Sequence, residues 1–262
     1  MKLSQQLFST GFTGLLVTML AACASDSPGL LDAATQNDAA TDATTVDSLA
    51  PAADAQPETN LPPLPLGTIS GACGVLDDVI WSGDSPLLVR NSLDLGSAEF
   101  DAKKLSTGGQ EVIDDGNRGG NSLYSEAVAY EALYYCEGAK LLKTETEIDY
   151  VEASGKKSDL LLEIDQRKIG VSVTRAYHYP PGEPYLESEA MALLQKKLAA
   201  LPSSRANATA EDRWERSILH ILAFDSQHAD LIESAWSQID ATTKAKSIVV
   251  LTVTEGNDDF IY

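Results

Sequence analysis

The sequence lacks the residue patterns on which several common enzyme chemistries depend. It holds 3 cysteines and 3 histidines among 262 residues, and His178, His220 and His228 do not show the spacing of metal ligands. No GxSxG, P-loop or HExxH pattern occurs. The signatures of serine hydrolases, P-loop nucleotide enzymes and zincin proteases are therefore missing, and any activity has to be inferred from the fold and from single residues.

Positive charge is absent from the region that follows the first residues. Residues 24–89 contain 10 of the 39 acids and none of the 19 bases, and Lys2 is the only charge before them. Residues 90–262 therefore carry 29 acids and 18 bases, so the domain is acidic on its own account. Nucleic-acid binding draws most of its affinity from Lys and Arg that neutralise phosphates, so nucleic acid is a disfavoured partner. The local basic clusters are interpreted as solvated turn or helix-face charges: Lys156-Lys157, Arg167-Lys168 and Lys196-Lys197.

Residues 1–22 have the pattern of a signal peptide. An apolar stretch from Leu7 to Leu20 follows Lys2, and it is too short to cross a bilayer, which needs roughly 20 predominantly apolar residues. Leu20-Ala21-Ala22-Cys23 resembles the bacterial lipobox. The resemblance implies cleavage before Cys23 and acylation of its thiol, which would hold the chain on a membrane. The alternative is an ordinary secretory signal in which the cysteine stands by chance.

The lipobox resemblance also implies a location. Ala24 follows the cysteine, whereas the inner-membrane retention signal of this class is an aspartate at that position. The sequence therefore predicts a lipoprotein of the bacterial cell envelope, with the outer membrane favoured over the inner membrane. Its expected partners are the membrane, through the lipid anchor, and a protein of the envelope.

The mature chain divides into a tether and one domain. Residues 23–66 are rich in Ala, Asp, Thr, Ser and Pro and lack aromatic residues and a periodic apolar face. Such a segment cannot bury enough surface to offset its ordering entropy, so we predict a disordered, lipidated, acidic and Pro-rich tether. Residues 67–262 are expected to form a single globular α/β domain of ordinary size.

Cys73 and Cys136 remain once Cys23 is assigned to the lipid. An even pair in an oxidising compartment favours a disulfide, and a bridge closing a loop of about 62 residues would contribute on the order of 4 kcal/mol. Two buried free thiols are the alternative, because cysteine is among the most buried residue types.

Apolar periodicity predicts a mixed β-sheet flanked by helices. Short strands are expected at 87–89 and 111–113. The main elements are a helix at 122–137, strands at 141–151, 159–165 and 169–177, a helix at 186–201, a helix at 210–239 broken near Phe224, and a strand at 247–253. His220 is expected at the surface of the long helix. The core, about 122–253, thus has the order helix, three strands, helix and strand.

This order resembles the PD-(D/E)XK nuclease-like fold, also called the restriction-endonuclease-like fold. In that family a glutamate lies on the first helix, an aspartate opens the second strand, and a Glu-x-Lys follows on the third. The resemblance implies that Glu126 and Asp159 are the candidate catalytic and metal-binding residues, for Mg²⁺ or Mn²⁺. The plainer alternatives are that Asp159 is a turn acid and Glu126 a solvated helix residue.

The third-strand motif departs from the family. Ser172-Val173-Thr174 occupies the place of Glu-x-Lys, which removes one carboxylate and the cationic helper. Glu163 is the candidate replacement for the carboxylate, and Arg175 or Lys168 for the cation. We therefore favour a non-catalytic binding or scaffold module, with a divergent Mg²⁺- or Mn²⁺-dependent phosphodiesterase or nuclease using Glu126 and Asp159 as the alternative.

Overall fold

A computed structural model describes residues 64–180 and 183–262. The signal peptide, Cys23 and nearly all of the predicted tether lie outside these residues. The strands are β1 Thr68–Gly71, β2 Leu87–Asp94, β3 Lys140–Thr144, β4 Leu160–Ile164, β5 Arg167–Ala176, β6 Arg216–Ala223 and β7 Ile248–Glu255. The α-helices are α1 Asp78–Ser82, α2 Thr107–Asp115, α3 Leu123–Glu137, α4 Glu187–Asn207, α5 Ser226–Gln238 and α6 Ala241–Lys244, with short 3₁₀ turns at Ala102–Lys104 and Asp259–Ile261.

The strands form one mixed sheet in the order β1-β2-β7-β6-β5-β4-β3. The four central strands, β2, β7, β6 and β5, run parallel. The flanking pairs β1–β2, β4–β5 and β3–β4 are antiparallel. Helices cover both faces, which buries β6 and β7 on both sides and accounts for their nearly continuous apolar sequences, whereas β2 is only partly buried. The predicted fold class, a mixed sheet flanked by helices, is confirmed.

The two faces of the sheet have separate cores. Helix α3 packs on one face, where Ala127 and Leu133 meet Leu162 and Val171. Helices α4 and α5 cover the other face, where Leu194 and Ile232 meet Leu219 and Leu251. Alternate residues of each strand therefore enter different cores, as the two-residue period of a strand requires.

The core contains the expected elements and one additional strand. The predicted closing strand at 247–253 is confirmed as β7 Ile248–Glu255. Helix α3, the antiparallel meander β3–β4–β5, helix α4 and strand β6 succeed one another along the chain. The prediction of a helix across 210–239 is wrong for its first half, because residues 216–223 form β6. This strand is buried on both faces between β5 and β7, and its unbroken apolar run fits a central strand as well as a buried helix.

The position of His220 follows from the same correction. It lies in β6 and is 0% exposed, instead of lying on a helix surface. Its Nε2 is 2.8 Å from the hydroxyl of Thr252 on the neighbouring strand. Burial holds the pKa of His220 far below its usual range, at about 3. It is a neutral core residue at physiological pH.

Two further predictions are corrected by local hydrogen bonds. Residues 111–113 belong to helix α2, which begins after Ser106, whose hydroxyl accepts the Gly109 N–H. Strand β3 ends at Thr144 instead of continuing to Val151, because the Glu147 carboxylate accepts the Thr144 N–H at 3.0 Å and closes a turn. In both places a polar side chain satisfies backbone groups that a longer strand would have paired.

The ends of the domain are tied to its core. Leu64 and Leu66, the last residues assigned to the tether, are buried against the α3 face, so the folded domain begins before residue 67. Cys73 and Cys136 form a disulfide with a Cα–Cα distance of 4.6 Å. Within the described residues, none of the helices is both long and apolar enough to cross a membrane.

Candidate functional site

The candidate site lies at one edge of the sheet, where β4 begins and β5 approaches its end. The two strands are antiparallel, and their register starts with Leu160 opposite Val171. Val173 is therefore beyond the start of β4, and its backbone groups on that side lack a strand partner. Such groups must be satisfied by side chains or water. Two charged side chains from separate elements fill this place.

Asp159 is the first of them. Its Oδ2 accepts the Val173 N–H at 2.5 Å and the Ser172 hydroxyl at 3.1 Å. Burial raises the pKa of the Asp159 carboxyl, while the bond from Val173 and the positive charge of Lys197 act in the opposite direction. Asp159 is thus more than a solvated turn acid. Ser172, which stands where the family has glutamate, holds this carboxylate in place.

Lys197 is the second. It projects from α4, is half-buried, and donates from Nζ to the Val173 carbonyl at 3.2 Å. Burial lowers its pKa, and the negative charges of Asp159 and Glu126 raise it in part. A lysine therefore faces the same stretch of β5 as Asp159, although it comes from a helix instead of from the third strand.

Glu126 approaches from α3 and is only 2% exposed. Its Oε1 accepts the Ser122 hydroxyl at 2.6 Å and, more weakly, the Asn117 amide at 3.5 Å. Ser122 precedes the helix, and its hydroxyl serves Glu126 instead of capping the helix backbone. Burial raises the pKa of Glu126 to about 7, and the charges of Asp159 and Glu145 contribute to the rise. Glu126 is not a solvated helix residue.

Glu145 adds a third carboxylate to this region. It is half-buried in the connection after β3, and its Oε2 accepts the Arg118 N–H at 3.0 Å. Its charge raises the pKa values of both Glu126 and Asp159. We refer to Glu126, Glu145, Asp159 and Lys197 as the charged cluster. Perturbed ionisable groups gathered at one edge are typical of functional sites.

Of the other sequence candidates, Glu163 and Lys168 lie outside the charged cluster, and Arg175 is close enough for its charge to lower the pKa of Lys197. Glu163 pairs with Lys140 at 2.9 Å and stands four residues, roughly 13 Å of strand, from Asp159. Lys168 donates to the Glu211 carbonyl. Arg175 binds the Asn121 side chain at 2.7 Å and the Ile261 carbonyl at 2.9 Å. None of these bonds is to a member of the charged cluster.

The donors of the charged cluster are of the kind that a hard divalent cation prefers, but in the described residues its three carboxylates do not form a group with oxygens within 4.8 Å of one another. Mg²⁺ takes one or two carboxylates and keeps several waters, and Glu126, Asp159 and Glu145 supply carboxylate oxygens of that kind. A tighter group of acids lies elsewhere: one oxygen each from Glu111, Asp115 and Glu147 come within 4.8 Å of one another. These three side chains are exposed, and exposed acids often gather without binding an ion.

Sequence reasoning missed Glu145 and Lys197 as site residues. Glu145 carries no signal beyond its acidity. Lys197 did carry one, because Ala190, Leu194, Leu198 and Leu201 are buried positions of α4. Lys197 follows Leu194 by three residues and so falls beside this apolar stripe, where a lysine is unusual. The interpretation of Lys196-Lys197 as helix-face charge holds for the exposed Lys196 and is wrong for Lys197.

Comparison with known proteins identifies no family: none of the known family models matches the chain. The AAC-rich mRNA clone AAC4 protein of Dictyostelium discoideum is 34% identical over 164 residues, which cover 60% of this chain and 24% of that protein. The chain thus spans about a quarter of this relative, whose name states no activity. Pyrococcus furiosus SfsA in complex with Ca²⁺ matches 52% of this chain and 58% of its own, at 13% identity and a TM-score of 0.24. That likeness is too weak to establish a fold or a function.

Proposed function

We propose that the domain hydrolyses phosphodiesters with the help of Mg²⁺ or Mn²⁺, using Glu126, Asp159 and Lys197. The observation that supports this is the meeting of Asp159 and Lys197 on the backbone of one residue, Val173, with Glu126 close enough to alter the pKa of Lys197. The three side chains come from the start of β4, from α4 and from α3. Lys197 supplies the cation that the third strand lacks, and Glu126 and Asp159 are the two carboxylates that remain.

Glu126 and Asp159 are suited to bind a cation, and Lys197 is suited to position the water molecule that attacks phosphorus. A bound divalent cation would polarise the phosphoryl group. Lys197, whose pKa is lowered by burial, is placed to orient a water molecule and exchange a proton with it. In the reaction the water oxygen forms a bond to phosphorus, the bond from phosphorus to the leaving alkoxide breaks, and the alkoxide takes up a proton. Glu126 and Asp159 must both be ionised to act as ligands.

The charge of the domain limits the class of substrate. Residues 90–262 carry 29 acids and 18 bases, so long polyanions are repelled except close to local bases. We expect a small or single-stranded phosphodiester to be a better substrate than duplex DNA.

The test uses the full chain with bis(p-nitrophenyl) phosphate, single-stranded nucleic acid and plasmid, each in Mg²⁺, in Mn²⁺ or in EDTA. Two variants remove one function each, Asp159→Asn and Lys197→Met. The amide oxygen introduced by Asp159→Asn would still accept the Val173 N–H, so the fold should survive. We expect metal-dependent cleavage to fall at least 100-fold in both. Lys196→Met, at the exposed neighbouring lysine, is the matched control and should cleave normally.

A second candidate is a binding or scaffold module without catalysis. It is favoured by Ser172 and Thr174, which supply neither the carboxylate nor the cation of Glu-x-Lys, and by the hydrogen bonds that already engage Asp159. The same assay decides between the two. If the parent does not cleave, or if Asp159→Asn and Lys197→Met cleave as fast as the parent, the proposed enzymatic activity is rejected. The binding module then remains, and its partner is to be sought among envelope proteins.

Membrane attachment through Cys23 is a separate part of the proposal. It is supported by the lipobox resemblance of residues 20–23. Because residues 24–89 contain no bases, this segment would keep the attached domain away from anionic headgroups. Labelled palmitate should enter the parent chain and Ala24→Ser but not Cys23→Ser. Fractionation of the same cells should place the labelled chain in the outer membrane. Labelling of Cys23→Ser would reject the anchor.

A further inference from the structure

A pocket at the opposite edge of the sheet has the features of a small-molecule site. It lies where β6 begins, beside the segment that leads into β7. Arg216, the first residue of β6, lines the pocket and pairs with Ile169 of β5. Val173, which Asp159 and Lys197 contact, is four residues further along β5, roughly 13 Å away at the rise of a strand. The pocket is therefore separate from the charged cluster.

Positive charge is concentrated around this pocket. Arg205, Arg216, Lys244 and Lys246 line it, with Glu215 as the one acid of the lining. The whole chain has a formal net charge of −20. A local excess of bases in so acidic a protein creates a positive field that attracts anions.

Three of these cations are bound to neutral groups. Arg205 donates from Nε to the Trp214 carbonyl at 2.7 Å, and the Lys244 ammonium lies 4.8 Å from the centre of the Trp236 ring. Arg216 donates to the carbonyls of Ile80 and Gly83. Of the four, Lys246 is the one that pairs with a carboxylate, that of Asp84. Arg205 and Lys244 pair with none of the carboxylates in the described residues, whereas the charge of Asp84 also acts on Arg216.

The pocket also contains an unsatisfied donor and a strained backbone. Arg216 is 6% exposed, and its Nε is buried without a hydrogen-bond partner, which costs free energy unless a ligand or water meets it. Ala245, in the lining, has a φ of +45°, a value that is uncommon for residues other than glycine and that clusters at ligand sites.

The pocket is small, and one of its walls is apolar. Leu198, Leu201 and Pro202 form one wall, and the two leucines are almost fully buried. The whole pocket, including its charged lining, measures about 140 Å³ and is partly open. An enclosed apolar cavity of about 150 Å³ binds benzene, so the pocket has room for about one aromatic ring or a chain of about six carbon atoms.

From the charge, the unpaired Arg216 Nε and the cavity size, we propose that this pocket binds a small amphiphilic anion. Its apolar group, a ring or a short chain, would occupy the wall of Leu198 and Leu201. Its head, a carboxylate or phosphate-type oxyanion, would face Arg205 and Lys244. The site does not depend on the proposed phosphodiesterase activity.

The test is isothermal titration of the full chain with three probes in EDTA: phenylphosphonate, methylphosphonate and benzyl alcohol. Phenylphosphonate has both an aromatic ring and an anionic group. Methylphosphonate has only the anionic group, and benzyl alcohol has only the ring. We expect phenylphosphonate to bind at least tenfold more tightly than either. Equal affinity for methylphosphonate would overturn the proposal, because the apolar wall would then contribute nothing.

Substitutions locate the site. Lys244→Glu should weaken phenylphosphonate binding at least tenfold, and Lys196→Glu, an exposed lysine of α4 outside the lining, should not. Arg205→Gln keeps a donor for the Trp214 carbonyl while removing the charge, so it tests the head group even if Lys244→Glu unfolds. Loss of binding in Lys197→Met, or unchanged binding in both Lys244→Glu and Arg205→Gln, would overturn the assignment.

Discussion

Helix α3 carries two buried glutamates in different surroundings. Glu126, near its start, is 2% exposed, and Glu131, near its middle, is 0% exposed. Burial raises the pKa of both. Glu131 accepts the Ser106 N–H at 2.9 Å and the Ser106 hydroxyl at 2.5 Å, so it joins α3 to the start of α2. Glu126 instead lies among ionisable groups from other elements.

The difference shows that burial of a charge does not by itself mark a site. No side-chain charge is among the causes that shift the pKa of Glu131, and its neighbour Gly109 has no space for a side chain, since an added Cβ would collide with Glu131 Oε1. Glu126 is coupled electrostatically to Asp159 and Lys197. Ionisable groups that shift one another's pKa values are typical of functional sites. Four predictions test this division between scaffold and site along α3.

The largest effect is expected at the scaffold end of α3, where the Cys73–Cys136 disulfide closes a loop with a sequence separation of 63 residues. Replacing both cysteines by alanine should cost about 4 kcal/mol of unfolding free energy on the chain-entropy model. Denaturant unfolding of the variant, beside the reduced parent as control, measures this. Cation binding by the fraction of the variant that remains folded should be unchanged; a parallel loss of it would contradict the separation of scaffold and site.

Glu131→Ala should destabilise the domain by about 3 kcal/mol, since it leaves the buried Ser106 N–H unsatisfied and opens a cavity. Glu131→Gln retains an oxygen that can accept this N–H, and it is the control. Thermal and urea unfolding of the two variants should differ clearly, and phosphodiester cleavage by Glu131→Gln should match that of the parent. Equal stability of the two variants would mean that the Ser106 contacts do not support α2.

The ionisation of Glu126 should make stability depend on pH. Its pKa is about 7 in the folded chain, against 4.5 as the ordinary value, so the folded state holds a proton that the unfolded state has already released. Stability should therefore fall by about 3 kcal/mol as pH rises from 4.5 through 7. Glu126→Gln removes this loss, so its stability relative to the parent should grow with pH. Urea unfolding at pH 5 and pH 8 measures the difference; parallel pH profiles would contradict it.

The smallest effect concerns the cation itself. Because Glu126 must lose its proton to bind a metal, Mn²⁺ affinity should rise about tenfold from pH 6 to pH 8, equivalent to about 1.4 kcal/mol. Titration calorimetry in two buffers of different ionisation enthalpy would also detect the released proton. Glu126→Gln should bind weakly at both pH values. A flat pH profile in the parent would remove Glu126 from the ligand set.

Much of this architecture is predictable from local patterns. Helix α3 and strands β4 and β5 match their predicted bounds closely, because the period of their apolar residues and the flanking turn residues agree. Strand β6 resembles a helix in the sequence because a strand buried on both faces has no alternation to distinguish it. Residues 111–113 are predicted as a strand because the start of helix α2 depends on one hydrogen bond, from the Gly109 N–H to the Ser106 hydroxyl, which the apolar pattern does not show.

The sequence by itself determined the order of the elements from α3 to α4, the closing strand β7, the acidity of the chain, and the positions of Glu126 and Asp159 on a helix and at the start of a strand. These features depend on residues that are near one another in the chain. Only the tertiary structure decided that Lys197 faces Asp159, that Glu163 and Arg175 do not, and that four bases surround one pocket. Those relations join residues that are distant in sequence, and they exist only once α4 has packed across the sheet.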